Sequence, residues 1–82
     1  MIEQQVRAIL RNTLQLGERA AQLDSDTGLL GALPELDSMA VVSLITALED
    51  QFGVVVEDDE VSAETFATFG TLVEFVRGKV AQ

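Results

Sequence analysis

The sequence predicts an all-α protein: a four-helix bundle with a short third helix and a long loop between helices one and two. Three observations lead there. Apolar residues recur at three-and-four spacing in three separate segments, the period of an amphipathic helix. The apolar residues are chiefly Leu, Val, Ile and Ala, with four Phe and no Tyr or Trp, an inventory suited to helix packing rather than to an aromatic-rich sheet. At 82 residues the chain must commit every apolar face to one small core, so residues 1–82 are read as a single domain.

The first helix is expected over roughly residues 2 to 16, where Ile2, Val6, Ile9, Leu10, Thr13 and Leu14 share one face while Glu3, Gln5, Arg7 and Arg11 take the other. Gly17 suits a left-handed stop, and the following "ERAAQL" can carry further helical turns. Residues 17 to 37 hold Gly17, Gly28, Gly31 and Pro34 and no sustained period, so they form a loop. Leu23, Leu29, Leu30, Leu33 and Leu36 stud it, which predicts that it lies pinned over the bundle. The second helix carries Val41, Val42, Leu44, Ile45, Leu48 and Phe52 as its apolar stripe, with Asp37 or Ser38 as cap and Gly53 as terminator. After the extended "VVV", the segment from Ser62 to Phe66 reads as the short third helix. Thr68 caps the last helix, whose Leu72, Val73, Phe75, Val76 and Val80 face inward and whose Arg77 and Lys79 suit the negative end of the helix dipole.

Composition narrows function by exclusion. Five Lys and Arg against fourteen Asp and Glu give a net charge of −9, which repels phosphate backbones and anionic bilayers and favours partners with basic patches. Nucleic-acid binding and membrane insertion are not expected. The N-terminus lacks the basic-then-apolar order of a signal peptide, so a cytoplasmic monomer is expected. With no Cys and no His, the chain has no disulfide, no thiol nucleophile and no Ser-His pair. A carboxylate-pair enzyme needs a cleft to raise one pKa, for which so small a domain has little interior. No catalytic residue and no resident metal are expected.

Three clusters remain. Asp24, Asp26 and Glu35 match positions one, three and twelve of a calcium loop, but Leu29 stands where the sharp turn needs Gly, so they read as solvated acids. The run Glu57-Asp58-Asp59-Glu60 reads as a solvated segment that steers partners at long range. Asp37-Ser38-Met39, taken alone, is a helix cap.

The surroundings of that tripeptide add to it. "ELDSMAVVSLITALEDQFGVVV", residues 35 to 56, resembles the signature of the acyl carrier protein family, in which Asp-Ser-Leu opens the second helix and an acid pair before Phe-Gly closes it; here Met39 replaces Leu. The resemblance extends to the Leu16-Gly17 helix end, the long loop, the short third helix and the Thr-capped last helix. It implies that Ser38 is esterified with 4′-phosphopantetheine, drawn from coenzyme A by a magnesium-dependent transferase, and that the thiol of this arm carries acyl groups between loading and transfer enzymes. It also implies that Asp37 helps to place the transferase and its metal. Fatty-acid carriers of the family carry acids near the start of the exposed face of this helix, where this chain has Ala40 and Ser43. Met39, Ala40, Ser43, Glu49 and Asp50 are the expected partner contacts. The loop "LLGALPELDSM" is similar to that of stand-alone carriers encoded with bacterial exosortase or surface-polysaccharide systems. An aminoacyl or peptidyl carrier, and an arm-free acidic interaction module in which Ser38 is only a cap, are the alternatives.

Overall fold

The computed structural model describes residues 2–31, 33 and 36–81. Three α-helices, α1 (Ile2–Leu14), α2 (Ser38–Phe52) and α3 (Phe69–Val80), alternate with two 3-10 turns, Gly17–Gln22 and Asp58–Glu60. Among the described residues there is no strand, only one isolated antiparallel bridge between Gly28 and Thr68. The helix α1 packs on both α2 and α3 and is the common wall of the core. Its Val6, Ile9, Leu10 and Leu14 are buried against Leu44 and Leu48 of α2 and Phe69, Leu72, Val73 and Val76 of α3, in one continuous cluster. Burial of eight-tenths or more of such side chains is worth about 1.5–3 kcal/mol each, so this cluster is the main source of stability.

The end of α1 comes two residues before the expected stop. Gln15 takes the left-handed conformation (φ 55°) and Leu16 N–H donates to the Arg11 carbonyl at 3.0 Å, closing the helix before Gly17 (φ 60°) opens the next turn. Leu16, buried, explains the choice, since the apolar residue just past such a cap packs back on the helix. Arg7, which its spacing assigns to the polar face, instead reaches over the 3-10 turn. Its guanidinium donates to the carbonyls of Ala20 (3.1 Å) and Ala21 (3.3 Å), pairs with Glu3 and lies 5.2 Å from the centre of the Phe69 ring.

The long loop is fastened to the segment before α3 by four backbone hydrogen bonds. Leu29 N–H donates to Ala67, Leu30 N–H to Phe66, Phe69 N–H to Thr27 and Gly70 N–H to Ser25, all at 2.9–3.1 Å. Leu23, Leu29 and Leu36 are buried and Leu33 is half-buried, as the pinned-loop reading expects, whereas Leu30 is exposed. The same bonds account for the third helical element. The expected helix over 62–66 is a run of tight turns, with the 3-10 turn Asp58–Glu60 just before it. Its Ser62 and Glu64 carbonyls accept from N–H groups three residues on, and the carbonyl of Phe66, with that of Ala67 after it, is given to the loop, so the turns do not propagate into a regular helix.

Glu60 does not belong to a solvated acid run. Both its carboxylate oxygens accept from Lys79 Nζ, at 2.9 and 2.6 Å, and the Lys79 side chain is only 10% exposed. The 3-10 turn is thereby tied to the last turn of α3. At the other end, Thr68 and Thr71 form a reciprocal capping box, which satisfies one donor at each residue. On α2, Val42 stands out of the stripe that its apolar character suggests and is 59% exposed. Leu44 and Leu48 set the inward face, and Val42 lies two residues, roughly 200° of turn, from Leu44.

The close approach of the loop to α3 has a test with a sign. A Cβ on Gly70 would lie 2.7 Å from the Ser25 carbonyl oxygen, whereas one on Gly78 would meet nothing within 4 Å. Gly78→Ala should therefore raise stability by about 0.5–1 kcal/mol, the usual gain in a helix. Gly70→Ala should lower it by about 1–3 kcal/mol despite the same change in propensity, because backbone must move. Urea unfolding followed by circular dichroism reads both. Equal gains at the two positions would mean that the loop does not press on α3.

Candidate functional site

The N-terminus of α2 is built by Asp37. Its backbone is extended (φ −105°, ψ −175°), its Oδ1 accepts from Ala40 N–H at 2.8 Å, and its carbonyl accepts from Val41 N–H at 3.0 Å. Of the two capping candidates, then, the carboxylate is the cap and Ser38 is the first helical residue. Ser38 is exposed, and among the described residues nothing hydrogen-bonds its hydroxyl. The backbone N–H groups of Ser38 and Met39 likewise have no partner among them.

The two long caps of the molecule differ in this respect. At α3, Phe69 and Gly70 donate to loop carbonyls, Thr71 donates to Thr68 Oγ1 and Leu72 to the Thr68 carbonyl, so all four leading donors are used. At α2, among the described residues, two of four have no acceptor, beside a hydroxyl that is likewise unpartnered. Open N–H groups at the positive end of a helix dipole stabilise an anion placed there. A phosphodiester joined to Ser38 Oγ fits: it would replace no existing hydrogen bond and would meet two unused donors.

What the site cannot do is equally clear from its residues. Ser38 has no histidine to activate it, because the chain contains none, and the neighbouring carboxylate of Asp37 is engaged by Ala40 N–H. Two surface clefts, of about 730 and 670 Å³, lie beside the N-terminus of α3 and between α1 and the Gly17–Gln22 turn, and Ser38 lines neither.

The other expected contacts divide. Met39 is 73% exposed, Ser43 and Asp50 are exposed, and all lie on the turns that follow Ser38. Ala40 is half-buried and packs against the core, as does Val41. Glu49 is half-buried and is occupied within the chain: its Oε2 accepts from Val56 N–H at 2.9 Å and its carbonyl accepts from Gly53 and Val54. It staples the connection after α2. Sequence spacing gives no sign of that bond, because the partner is a backbone group seven residues away.

Asp24 Oδ1 accepts from Asp26 N–H and from Thr27 Oγ1, both at 3.0 Å, which closes a local turn; Glu35 lies outside the described residues. Among the described residues no three Asp or Glu side chains gather as a metal cluster, and no helix is long and apolar enough to cross a membrane.

This arrangement agrees with two comparisons. The solution structure of a holo acyl carrier protein from Nitrosomonas europaea superposes with a TM-score of 0.90 at 53% identity, over 99% of this chain and 96% of that one. The family model described as the phosphopantetheine attachment site matches residues 4–76, which contain the whole of α2 and the free hydroxyl at its head. The chain has the acyl carrier fold and belongs to the phosphopantetheine attachment family, whose prosthetic arm is covalently bound.

Proposed function

We propose that this chain is an acyl carrier protein whose arm is attached at Ser38, and that it serves other enzymes without being a catalyst itself. The observation that carries this reading is the division of labour at α2: Asp37 caps the helix, so the Ser38 hydroxyl is exposed and uncommitted. The bound arm would supply one chemistry, a thiol that forms thioesters with acyl groups. In the attachment step, Ser38 Oγ forms a bond to the phosphorus that bears pantetheine in coenzyme A. The bond from that phosphorus to the adenosine bisphosphate breaks, and the hydroxyl proton passes to a base of the transferase. The chain contains no His, and the Asp37 carboxylate is engaged by Ala40 N–H, which supports activation by a base of the partner. The open N–H groups of Ser38 and Met39 hold the resulting phosphodiester by hydrogen bonding and by the dipole.

The acyl rather than the aminoacyl reading is supported by the 53% identity to a holo acyl carrier protein. An arm-free module gives no reason for a hydroxyl left without a partner at a helix head that a neighbour already caps. Partners on this reading are a phosphopantetheinyl transferase and enzymes that load and unload the thioester. The absence of a long apolar helix among the described residues agrees with work in the cytoplasm, the place we propose.

The chain contains no Cys, so thiol counting reads the arm without background. A thiol reagent should find none in the chain as expressed without a transferase and one per molecule after incubation with transferase and coenzyme A. Acylation should remove that thiol, and hydroxylamine should return it. Ser38→Ala should abolish the gain while unfolding within about 0.5 kcal/mol of wild type, since no hydrogen bond is lost. Asp37→Ala should lower stability by about 1 kcal/mol, the cost of an N-cap. A Ser38→Ala chain that still acquires a thiol would move the attachment elsewhere; a wild-type chain that acquires none, alongside a carrier that does, would end the carrier reading.

A further inference from the structure

A chain that carries thioesters must hold a reactive acyl donor without accepting the acyl group on its own side chains. On the carrier reading proposed above, on which this inference rests, the composition is spare in acceptors. There is no Cys, no His and no Tyr, and Lys79 is the single Lys. Ser and Thr hydroxyls are weak nucleophiles without an adjacent base. The other four cations are Arg, whose guanidinium stays protonated and has no lone pair to offer a carbonyl carbon. Lys79 is therefore the one side chain through which cargo could be lost as an amide.

Its surroundings withhold it. Lys79 Nζ donates to both carboxylate oxygens of Glu60, at 2.9 and 2.6 Å, and the side chain is 10% exposed. An amine attacks through its lone pair, and an ammonium bonded to two carboxylate oxygens presents none. The ion pairs Arg7–Glu3 and Arg77–Glu74 are more exposed and lie within one helix each, whereas the pair that holds the amine spans 19 residues of sequence. Position adds to the pairing. Lys79 shares a cleft of about 370 Å³ with Gly53, Val54 and Val55, just past the C-terminal end of α2, while Ser38 opens that helix. The length of α2, about 22 Å at 1.5 Å per residue, lies between them.

We infer that Lys79 is the acyl-acceptor site of this chain and that Glu60 is the positioning residue that keeps it closed. When the pair opens and the amine has given up a proton to solvent, the nitrogen attacks the carbonyl carbon of an acyl thioester. A C–N bond forms, the C–S bond breaks, and the sulfur leaves as a thiol with the second proton of the nitrogen. The product is an amide, which hydroxylamine does not reverse. It also removes the charge of Lys79 and so releases Glu60.

The first measurement needs no prosthetic arm. The chain expressed without a transferase is incubated with acetyl-coenzyme A, and acetylation of Lys79 is followed by peptide mass spectrometry. An Arg11→Lys chain supplies an exposed amine on α1 as the reference, and Lys79 should react about tenfold more slowly than it. Glu60→Gln, which keeps the shape of the side chain but not its charge, should raise the Lys79 rate about tenfold, the scale of a lost charge-assisted hydrogen bond. Gly70→Ala, which weakens the fold elsewhere and leaves the pair intact, should react like wild type, so opening of the pair is separated from general unfolding. In the second measurement the arm on Ser38 carries an acetyl thioester. Glu60→Gln should then regain a free thiol without hydroxylamine, and faster than wild type, while the intact mass keeps its acetyl group; Lys79→Arg should not. Equal Lys79 rates in wild type and Glu60→Gln, a Lys79 as reactive as the reference amine, or an equal rise in Gly70→Ala would overturn the inference. A chain that accepts no arm would end the carrier reading, and the first measurement would still decide whether Glu60 closes Lys79.

Discussion

The fold depends on the backbone clasp between residues 25–30 and 66–70. A loop of this length would ordinarily be the loosest part of a small domain, because its backbone groups would look to water and its closure costs entropy. Here four backbone hydrogen bonds couple it to the start of α3 and the residues just before it, and Leu23, Leu29 and Leu36 are buried in the core. The clasp also supplies the first two donors of α3 with acceptors, so one set of bonds orders the loop and starts the helix. Gly70 is what permits the contact, since a side chain there would meet the Ser25 carbonyl. The loop ends at Asp37, and its anchoring fixes where α2 begins.

Two weaker ties complete the frame on other sides. Arg7 joins α1 to the Gly17–Gln22 turn through two carbonyls and covers Phe69 with its guanidinium, so a single long side chain connects three elements. Such a residue stabilises through packing of its stem and through charge-assisted bonds more than through its exposed ion pair with Glu3. Lys79 and Glu60 close the far end in the same manner, binding the turn after α2 to the last turn of α3. The acids that give the chain its strong negative charge are therefore not all surface ornament.

Much of this was readable before any coordinates. The stripe of α1, that of α3 apart from Val80, which is exposed at the helix end, the cap at Thr68, the terminator at Gly53 and the pinned loop follow from local rules of period and capping, which act within a few residues. So does the candidate site, because Asp-Ser at the start of a strongly apolar helix is both a cap signal and a family signature. The misreadings share a cause. Gln15 ends α1 in place of Gly17 because Leu16 has a core site to fill; residues 62–66 stay a run of tight turns, with Ser62 and Glu64 carbonyls closing local turns and the Phe66 carbonyl given to a distant loop; Val42 faces water because the inward side of α2 is set by α1. Arg7 and Glu60, whose sequence context reads as solvent-facing, and Glu49, which reads as a partner contact, are each held by a group that only tertiary structure brings near. Local chemistry was visible in the sequence, and long-range partners were not.

The cap at α2 has one more consequence. A helix head whose own serine held the first turn together would have to give up that bond whenever the serine was esterified, and the protein would exist in two forms of unequal stability. With the bond made by Asp37 instead, esterifying the hydroxyl breaks no cap bond. On the proposed function, the arm is gained or lost without the first turn giving up a contact it already has. Partners would meet the same scaffold at every stage, and what distinguishes one stage from the next would be the cargo alone.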